Sequence, residues 1–289
     1  MPLRPVISLT TDFGLHDPFV GIMKGVIAGI CPSAHVIDIT HGVKAFDVLD
    51  GALAIWQARR YFPAETIHTI VVDPGVGSSR RPVLCRMGDA WFIAPDNGVL
   101  TLVEREVRRR GGWEVSHRAI ENSQYMLPAQ SNTFHGRDIF APAAAHLAAQ
   151  IERGSVAADT FGREIENLIQ LPVPEPIHNP DGSIEGVILK SDRFGNLLTN
   201  MSAADLPNDL ANFSLELGTL RVTRFCRFYA EAEPGEIFAI VGSAGLLEIA
   251  MNRGSAEQQT GISAGTKFSM VPNETMLQLK NRNVIPSGA

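Results

Sequence analysis

The sequence predicts two domains: an N-terminal α/β domain with a mainly parallel sheet flanked by helices, then an all-β, barrel-like C-terminal domain. Three observations carry this. The first half alternates short β-branched runs with amphipathic stretches, which argues a parallel sheet covered on both faces. "LPVPEPIHNPDGS" (171–183) then places four prolines in thirteen residues, the mark of a linker. Beyond it helical periodicity fades and the apolar runs alternate as in a small antiparallel barrel or sandwich. The predicted boundaries are 1–170 for the α/β domain, 171–182 for the linker and 183–289 for the β domain.

In chain order, "PVISLT" (5–10) reads as a strand and "FVGIMKGVIAGI" (19–30) as a helix with apolar residues at helical spacing. "HVIDIT" (35–40) is a second strand, and "DVLDGALAIWQARRYF" (47–62) a second helix closed by Pro63. "TIHTIVVD" (66–73) is apolar enough to be buried on both faces. "RPVLCRM" and "AWFIAPD" read as a strand pair, followed by the helix "GVLTLVEREVRRR". "GRDIFAPAAAHLAAQIERG" (136–154) is a further helix, with Pro142 near its start. The β domain is read from "IEGVILKSD", "FSLELGTLRVTRF", "EIFAIVG" and "TKFSMV", with the last dozen residues expected to fray.

With 289 residues, 45% hydrophobic and 19% charged, the chain can bury a sizeable core. Its formal charge of −6 and the lack of a basic stripe make nucleic acid and anionic membrane poor partners. Cys31, Cys85 and Cys226 lie far apart without a CxxC, so neither a disulfide framework nor a thiolate zinc site is expected. The N-terminus enters a strand without a signal-like apolar region, and no apolar run approaches the ~18 residues that span a bilayer. A cytoplasmic protein is the expectation.

Ligands of open α/β sheets bind at the carboxyl ends of the strands. Three polar turns fall there: "TTDFGLHD" (10–17), "THGVKAFD" (40–47) and "DPGVGSSRR" (73–81). A fourth cluster, "NTFHGRD" (132–138), opens a helix. "SDRFGNLLTN" (191–200) and "VGSAGLLEIAMNRGSA" (241–256) supply polar turns in the second domain. Each has a bland reading. Asp12 suits a helix cap, His135 a structural histidine, and Phe46 and Phe194 the core. The "DFG" lacks the other kinase motifs. The histidines show neither HxH nor HExxH spacing, so no metal site is expected.

Jointly and in order, these motifs resemble the S-adenosyl-L-methionine (SAM) hydroxide adenosyltransferases, relatives of the fluorinase and chlorinase. The resemblance runs through "TDFGLHDPFVGIMKG", "DVLDGA", "VVDPGVGSSRR", "APDNGVL", "TFHGRD", "SDRFGNLLTN" and "GSAGLLEIAMNRGSA", nearly the whole chain. It implies displacement at ribose C5′ of SAM by a water-derived oxygen, giving adenosine and L-methionine, in a homotrimer with sites between subunits. It implies no cofactor, because SAM is the substrate. The halogenases carry tyrosines where this chain has Asp73 and His135; the hydroxide branch carries an Asp/Arg/His set, matched by Asp73, Arg80 and His135.

The sulfonium is a good leaving group, so activating water is the harder task. In this reading Arg80 stabilises hydroxide character while Asp73 or His135 accepts the proton, the residues alone leaving the choice open. The neighbouring Arg81 is a candidate to share Arg80's part. Further roles follow from the resemblance. Asp12 accepts from both ribose hydroxyls, Asp17 lies beside the methionine moiety, and Phe46 stands near the ribose where halogenases have tryptophan. Asp192 meets the methionine ammonium, Phe194 and Asn196 stack on and hydrogen-bond adenine, and Ser243 lies near the methionine end. The chain departs from the halogenases at Ala244, where they carry arginine, and at Gly136 and Phe19, where they carry serines. A non-catalytic SAM- or adenosine-binding protein and, behind it, a SAM-dependent methyltransferase are the competing readings.

Overall fold

A computed structural model describes residues 4–129 and 131–273. The chain divides into two units between Pro172 and Val173. The first contains β1 (Val6–Thr11), α1 (Phe19–Ile30), β2 (His35–Thr40), α2 (Val48–Ala58), β3 (Ile67–Val71), β4 (Pro82–Met87), β5 (Ala90–Pro95), α3 (Thr101–Arg110), β6 (Val115–Ala119) and α4 (Ala141–Glu152). Six strands form one sheet in the order β2-β1-β3-β5-β4-β6. β1, β2, β3 and β5 pair in parallel, while β4 runs antiparallel to both β5 and β6.

Alternation along β3 explains why its whole run is apolar. Ile67 and Val71 pack into a core with Met23 and Ile27 of α1 and Leu147 of α4. Ile70 and its follower Val72 face the opposite core, with Ile55 of α2 and Val103 and Val107 of α3. Both faces are therefore covered, and each fully buried side chain of this size contributes about 1.5–3 kcal/mol. β1 lies between β2 and β3, so the chain passes to opposite sides of it. This is the switch point at which an open sheet leaves a crevice beyond its strand ends.

The helix expected at 136–154 is two pieces. Gly136–Phe140 is a π turn and α4 follows it, with Pro142 in its first turn. Pro142 has no N–H to return to Asp138, and the Asp138 carbonyl instead accepts from Leu127 N at 2.8 Å. The same residue's carboxylate accepts from Ser131 N at 2.7 Å, so Asp138 ties the 127–131 loop to the helix start.

The second unit contains β7 (Ile177–His178), β8 (Ile184–Ser191), β9 (Leu197–Ser202), β10 (Phe213–Leu217), β11 (Leu220–Val222), β12 (Phe225–Cys226), β13 (Ile237–Val241), β14 (Leu246–Met251), α5 (Ala256–Thr260) and β15 (Lys267–Pro272). Nine strands form one sheet, eight of them along the path β11-β10-β15-β8-β9-β14-β13-β12, with β7 beside β8. Among the described residues no ladder joins β11 to β12, but β11 approaches β13, so the strand-rich unit is a curled sheet, a half-barrel. Register shifts in β8 and β14 mark where it bends.

Part of the segment read as a linker is ordered at both ends. Leu171 N donates to Thr101 Oγ1 at 2.8 Å, and Ile177–His178, free of proline, pair with Ile184 and Glu185. The tail expected to fray lies outside the described residues, save its neighbour β15. The three cysteines are free and buried. Among the described residues no helix is long and apolar enough to cross a membrane.

Candidate active site

Asp12 follows β1 and Asp73 lies two residues beyond β3, so the two carboxylates leave adjacent parallel strands at the switch point. A cavity of about 320 Å³ opens over them, walled by Asp12, Phe46, Asp73, Phe134 and His135. Phe13, Phe19 and Phe134 form its apolar side, their ring centroids 5.1 to 5.8 Å apart in tilted and edge-on pairs.

Asp12 does not cap α1. The helix N-cap is Pro18, without a side-chain cap, and Asp12 Oδ2 instead accepts from Phe46 N at 2.9 Å. Phe46 is held at a φ of 67°, a left-handed conformation unusual for a bulky residue, and its ring is 73% exposed. It is therefore not a core residue. One carboxylate oxygen of Asp12 thus fixes Phe46, and Asp12 lines the cavity.

Arg80 joins the two groups on the far wall. Its Nε donates to Asp73 Oδ1 at 2.9 Å, an Nη closes a fork on Asp73 Oδ2, and the same Nη donates to His135 Nδ1 at 2.7 Å. The guanidinium also lies 5.2 Å from the Phe140 ring centroid. Its side chain is buried and is not among the cavity walls; Asp73 and His135 stand between it and the space. An arginine only donates, so His135 Nδ1 must accept and the neutral ring carries its proton on Nε2. Burial first, and the Arg80 charge second, hold the His135 pKa below its ordinary value, against the opposing charges of Asp73 and Asp138.

The 73–80 turn reaches His135 because residue 77 is glycine. Gly77 has a φ of 77°, and a Cβ there would overlap the backbone carbonyl of Asn132, in the loop that carries His135. Arg81 does not share this centre: its Nε donates to Asp96 Oδ2 at 2.9 Å, and Asp96 also receives Ile169 N at 2.8 Å. The adjacent arginines thus have separate tasks, one at the cavity and one holding the 167–171 segment.

Asp17 lies exposed just before α1 and is not among the cavity walls. In the second unit, Asp192 organises its own turn. Its Oδ1 accepts from Phe194 N (2.8 Å) and Asn196 N (2.9 Å), and its Oδ2 from Asn196 Nδ2 (2.9 Å). The Asn196 amide also reaches the Tyr229 hydroxyl at 3.1 Å. This arrangement presents the Phe194 ring to solvent, 75% exposed, so Phe194 too is not core. Ser243 is exposed in the turn between β13 and β14. Two residues escaped the reading of the sequence. Tyr229 stands alone in a short 3₁₀ turn, and Glu248 is buried within β14, where only its break in an apolar run signals it.

Comparison with known proteins gives the family. The model of the SAM hydroxide adenosyltransferase N-terminal domain matches residues 7–157, and that of the C-terminal domain matches 186–269. A protein of Thermus thermophilus named (R)-S-adenosyl-L-methionine hydrolase is 37% identical over 91% of this chain and 98% of its own length. One of the same name from Salinispora tropica is 38% identical over 93% and 98%. A fluorinase of an Actinoplanes species is 28% identical over 91% and 96%. The crystal structure of a conserved Thermotoga maritima protein superposes with a TM-score of 0.81 at 34% identity, covering 92% of this chain and 99% of that one. The chain belongs to the SAM hydroxide adenosyltransferase family.

Proposed function

We propose that the protein hydrolyses SAM to adenosine and L-methionine by attack of water at ribose C5′. The observation that carries the reading is the cavity wall on which Arg80 sets Asp73 and His135 side by side, with Asp12 lining the same cavity. The names of the relatives support the substrate.

Each side chain then has a defined task. Water has two lone pairs and two protons. The His135 Nε2–H donates to one lone pair, and Asp73, which retains a free lone pair on each oxygen, accepts one proton. The second lone pair is left to attack C5′ as the C5′–S bond breaks, with the electron pair leaving on sulfur as neutral methionine. The water proton passes to Asp73. Arg80 acts from behind by fixing both groups before the reaction, so the cost of orienting them is met by folding rather than at the transition state. The Asp12 carboxylate receives the ribose hydroxyls, while Asp17 and Phe46 take the methionine and ribose positions implied by the resemblance. In the second unit Phe194 and Asn196 take adenine and Asp192 and Ser243 the methionine end. No cofactor enters, and the family resemblance supports a homotrimer, for which light scattering should return about three times 31.3 kDa.

The test is incubation of the purified protein with SAM in ¹⁸O-water and mass spectrometry of the products. Adenosine carrying one ¹⁸O with equimolar methionine is expected. S-adenosylhomocysteine would replace the reading with methyl transfer, and bound but intact SAM with a binding protein.

A further inference from the structure

We propose that Glu248 is the specificity-determining carboxylate for the substrate's α-ammonium group, acting beside Asp192. The assignment rests on the reading of SAM as substrate and adds a residue to it.

The position breaks the local pattern. In β14, Leu246, Glu248 and Ala250 share one face, and Ala250 packs there with Phe238 and Ile240 of β13 in a small apolar cluster. Period-two patterning calls for an apolar residue at 248, and a glutamate there opposes folding unless it has another use. Glu248 is 7% exposed, yet no hydrogen bond from a described residue lowers the energy of its carboxylate. A buried carboxyl without a donor is costly.

Its surroundings are acceptors rather than donors. Glu248 feels the charge of Asp192, and Tyr229 feels both carboxylates. Among the described residues the paired strands β13 and β9 carry no titratable group, and α5, which also packs on β14, carries Glu257, which accepts from Ser191 Oγ. Asp192 is already committed to three donors of its own turn, which leaves Oδ2 one open position. Neither carboxylate has an ion pair with a described lysine or arginine. The Glu248 carboxyl lies against Gly242, where a Cβ would overlap it, in the same turn that carries Ser243. Asp192 holds Asn196, two residues before Leu198, the β9 partner of Glu248, so a largely buried carboxyl without a donor from a described residue and one with a vacant lone pair lie at neighbouring strands below an exposed turn. Such a place is complementary to a small cation with several N–H donors. No third acidic, histidine or cysteine ligand joins them among the described residues, which favours ammonium over a metal ion. Burial, and then the Asp192 charge, raise the Glu248 pKa to about 7. A bound ammonium favours the ionised form, so binding near neutral pH releases a proton.

The test compares wild type, Glu248→Gln and Glu248→Met for SAM and for the SAM analogue lacking the α-amino group. Equilibrium Kd and steady-state turnover are measured from pH 6 to 8.5. In the wild type, SAM binding is expected to tighten as pH rises through about 7, with protons released in calorimetry run in two buffers, and to weaken again above about 8, where the α-ammonium loses its own proton. Both variants are expected to weaken SAM by about tenfold, the loss of one charge-assisted hydrogen bond, and to flatten this pH dependence. Affinity for the deamino analogue and kcat should stay within about twofold. Equal losses for SAM and the analogue, or a change in SAM Kd below twofold, would overturn the assignment while wild-type turnover left the proposed function standing. Absence of SAM turnover by the wild type would overturn that function instead. Kd values for L-methionine and 4-(methylthio)butanoate would then decide the ammonium site alone.

Discussion

Arg80 donates to Asp73 at 2.9 Å and to His135 Nδ1 at 2.7 Å, so one buried guanidinium fixes both groups that wall the cavity on that side. Removing it unties the two together. Arg80→Ala is expected to lower kcat for adenosine formation by about 10²–10³, the range found when a preorganised donor is lost. Arg80→Lys keeps the charge but not the fork, and should recover only part of the rate. A kcat for Arg80→Ala within twofold of wild type would remove Arg80 from the mechanism.

The His135 pKa gives a readout independent of turnover. Burial and the Arg80 charge both disfavour the imidazolium, so its pKa lies below the ordinary 6.5. The folded state thus binds fewer protons here than the unfolded state. The contribution of His135 to stability is complete above about pH 6.5 and is lost as pH falls towards its folded-state pKa. Ring carbon shifts in an NMR titration should place the wild-type midpoint below 6.5. Arg80→Gln should move it upward, because the depressing charge goes while Asp73 and Asp138 remain. A downward move would contradict the assignment of causes.

Gly77→Ala tests the close approach between the 73–80 turn and Asn132. The new Cβ would meet a backbone carbonyl, which cannot swing aside as a flexible side chain can. The two loops must separate, pulling Asp73 and Arg80 from His135. A misplacement of about 1 Å costs on the order of 10² in rate, so kcat should fall by that factor. His135 should also lose its Arg80 contact, seen as an upward shift in the same titration. Unchanged kcat with unchanged His135 shifts would show that the turn has slack.

How legible was this site in the sequence? The first domain follows hydrophobic period, which is local, and α1 and β2 fall at the residues the pattern predicts. β6 was missed because "VSHRA" offers almost no apolar alternation, its pairing with β4 coming from the sheet rather than the segment. β9 and β14 lay hidden behind the glycine turns that open them. Within the site, residue types and spacing indicated Asp73, Arg80 and His135, but not which arginine of the adjacent pair faces His135. Asp96, fifteen residues on, decides that by engaging Arg81. Phe46 and Phe194 look like core residues by type; a backbone bond to Asp12 or Asp192 turns each outward, and such bonds leave no periodic trace. Glu248 was least legible, since one acid in "LLEIAM" has meaning only beside Asp192.

Chelation offers a short test of the cofactor expectation. Among the described residues no three histidine, cysteine or acidic side chains converge as a metal site. Excess EDTA is expected to leave the rate of adenosine formation unchanged. Loss of activity restored by a divalent cation would require a different source for the activated water.

Phe194 separates binding from architecture. Its backbone is fixed by Asp192 Oδ1 while its ring, 75% exposed, buries little against its own unit. Phe194→Ala should therefore leave the thermal midpoint within about 2 °C of wild type, as for a surface substitution. An aromatic ring that stacks on a base contributes about 1–3 kcal/mol, so KM for SAM should rise by roughly five- to a hundredfold with kcat little changed. Phe194→Trp should restore most of the loss. Asp192→Ala is the contrasting case: three donors of the 192–196 turn lose their acceptor, and both KM and the thermal midpoint should worsen. Were Phe194→Ala to lower the midpoint as much as Asp192→Ala while KM held, the ring would be a structural element of its own unit and adenine would have to be stacked elsewhere.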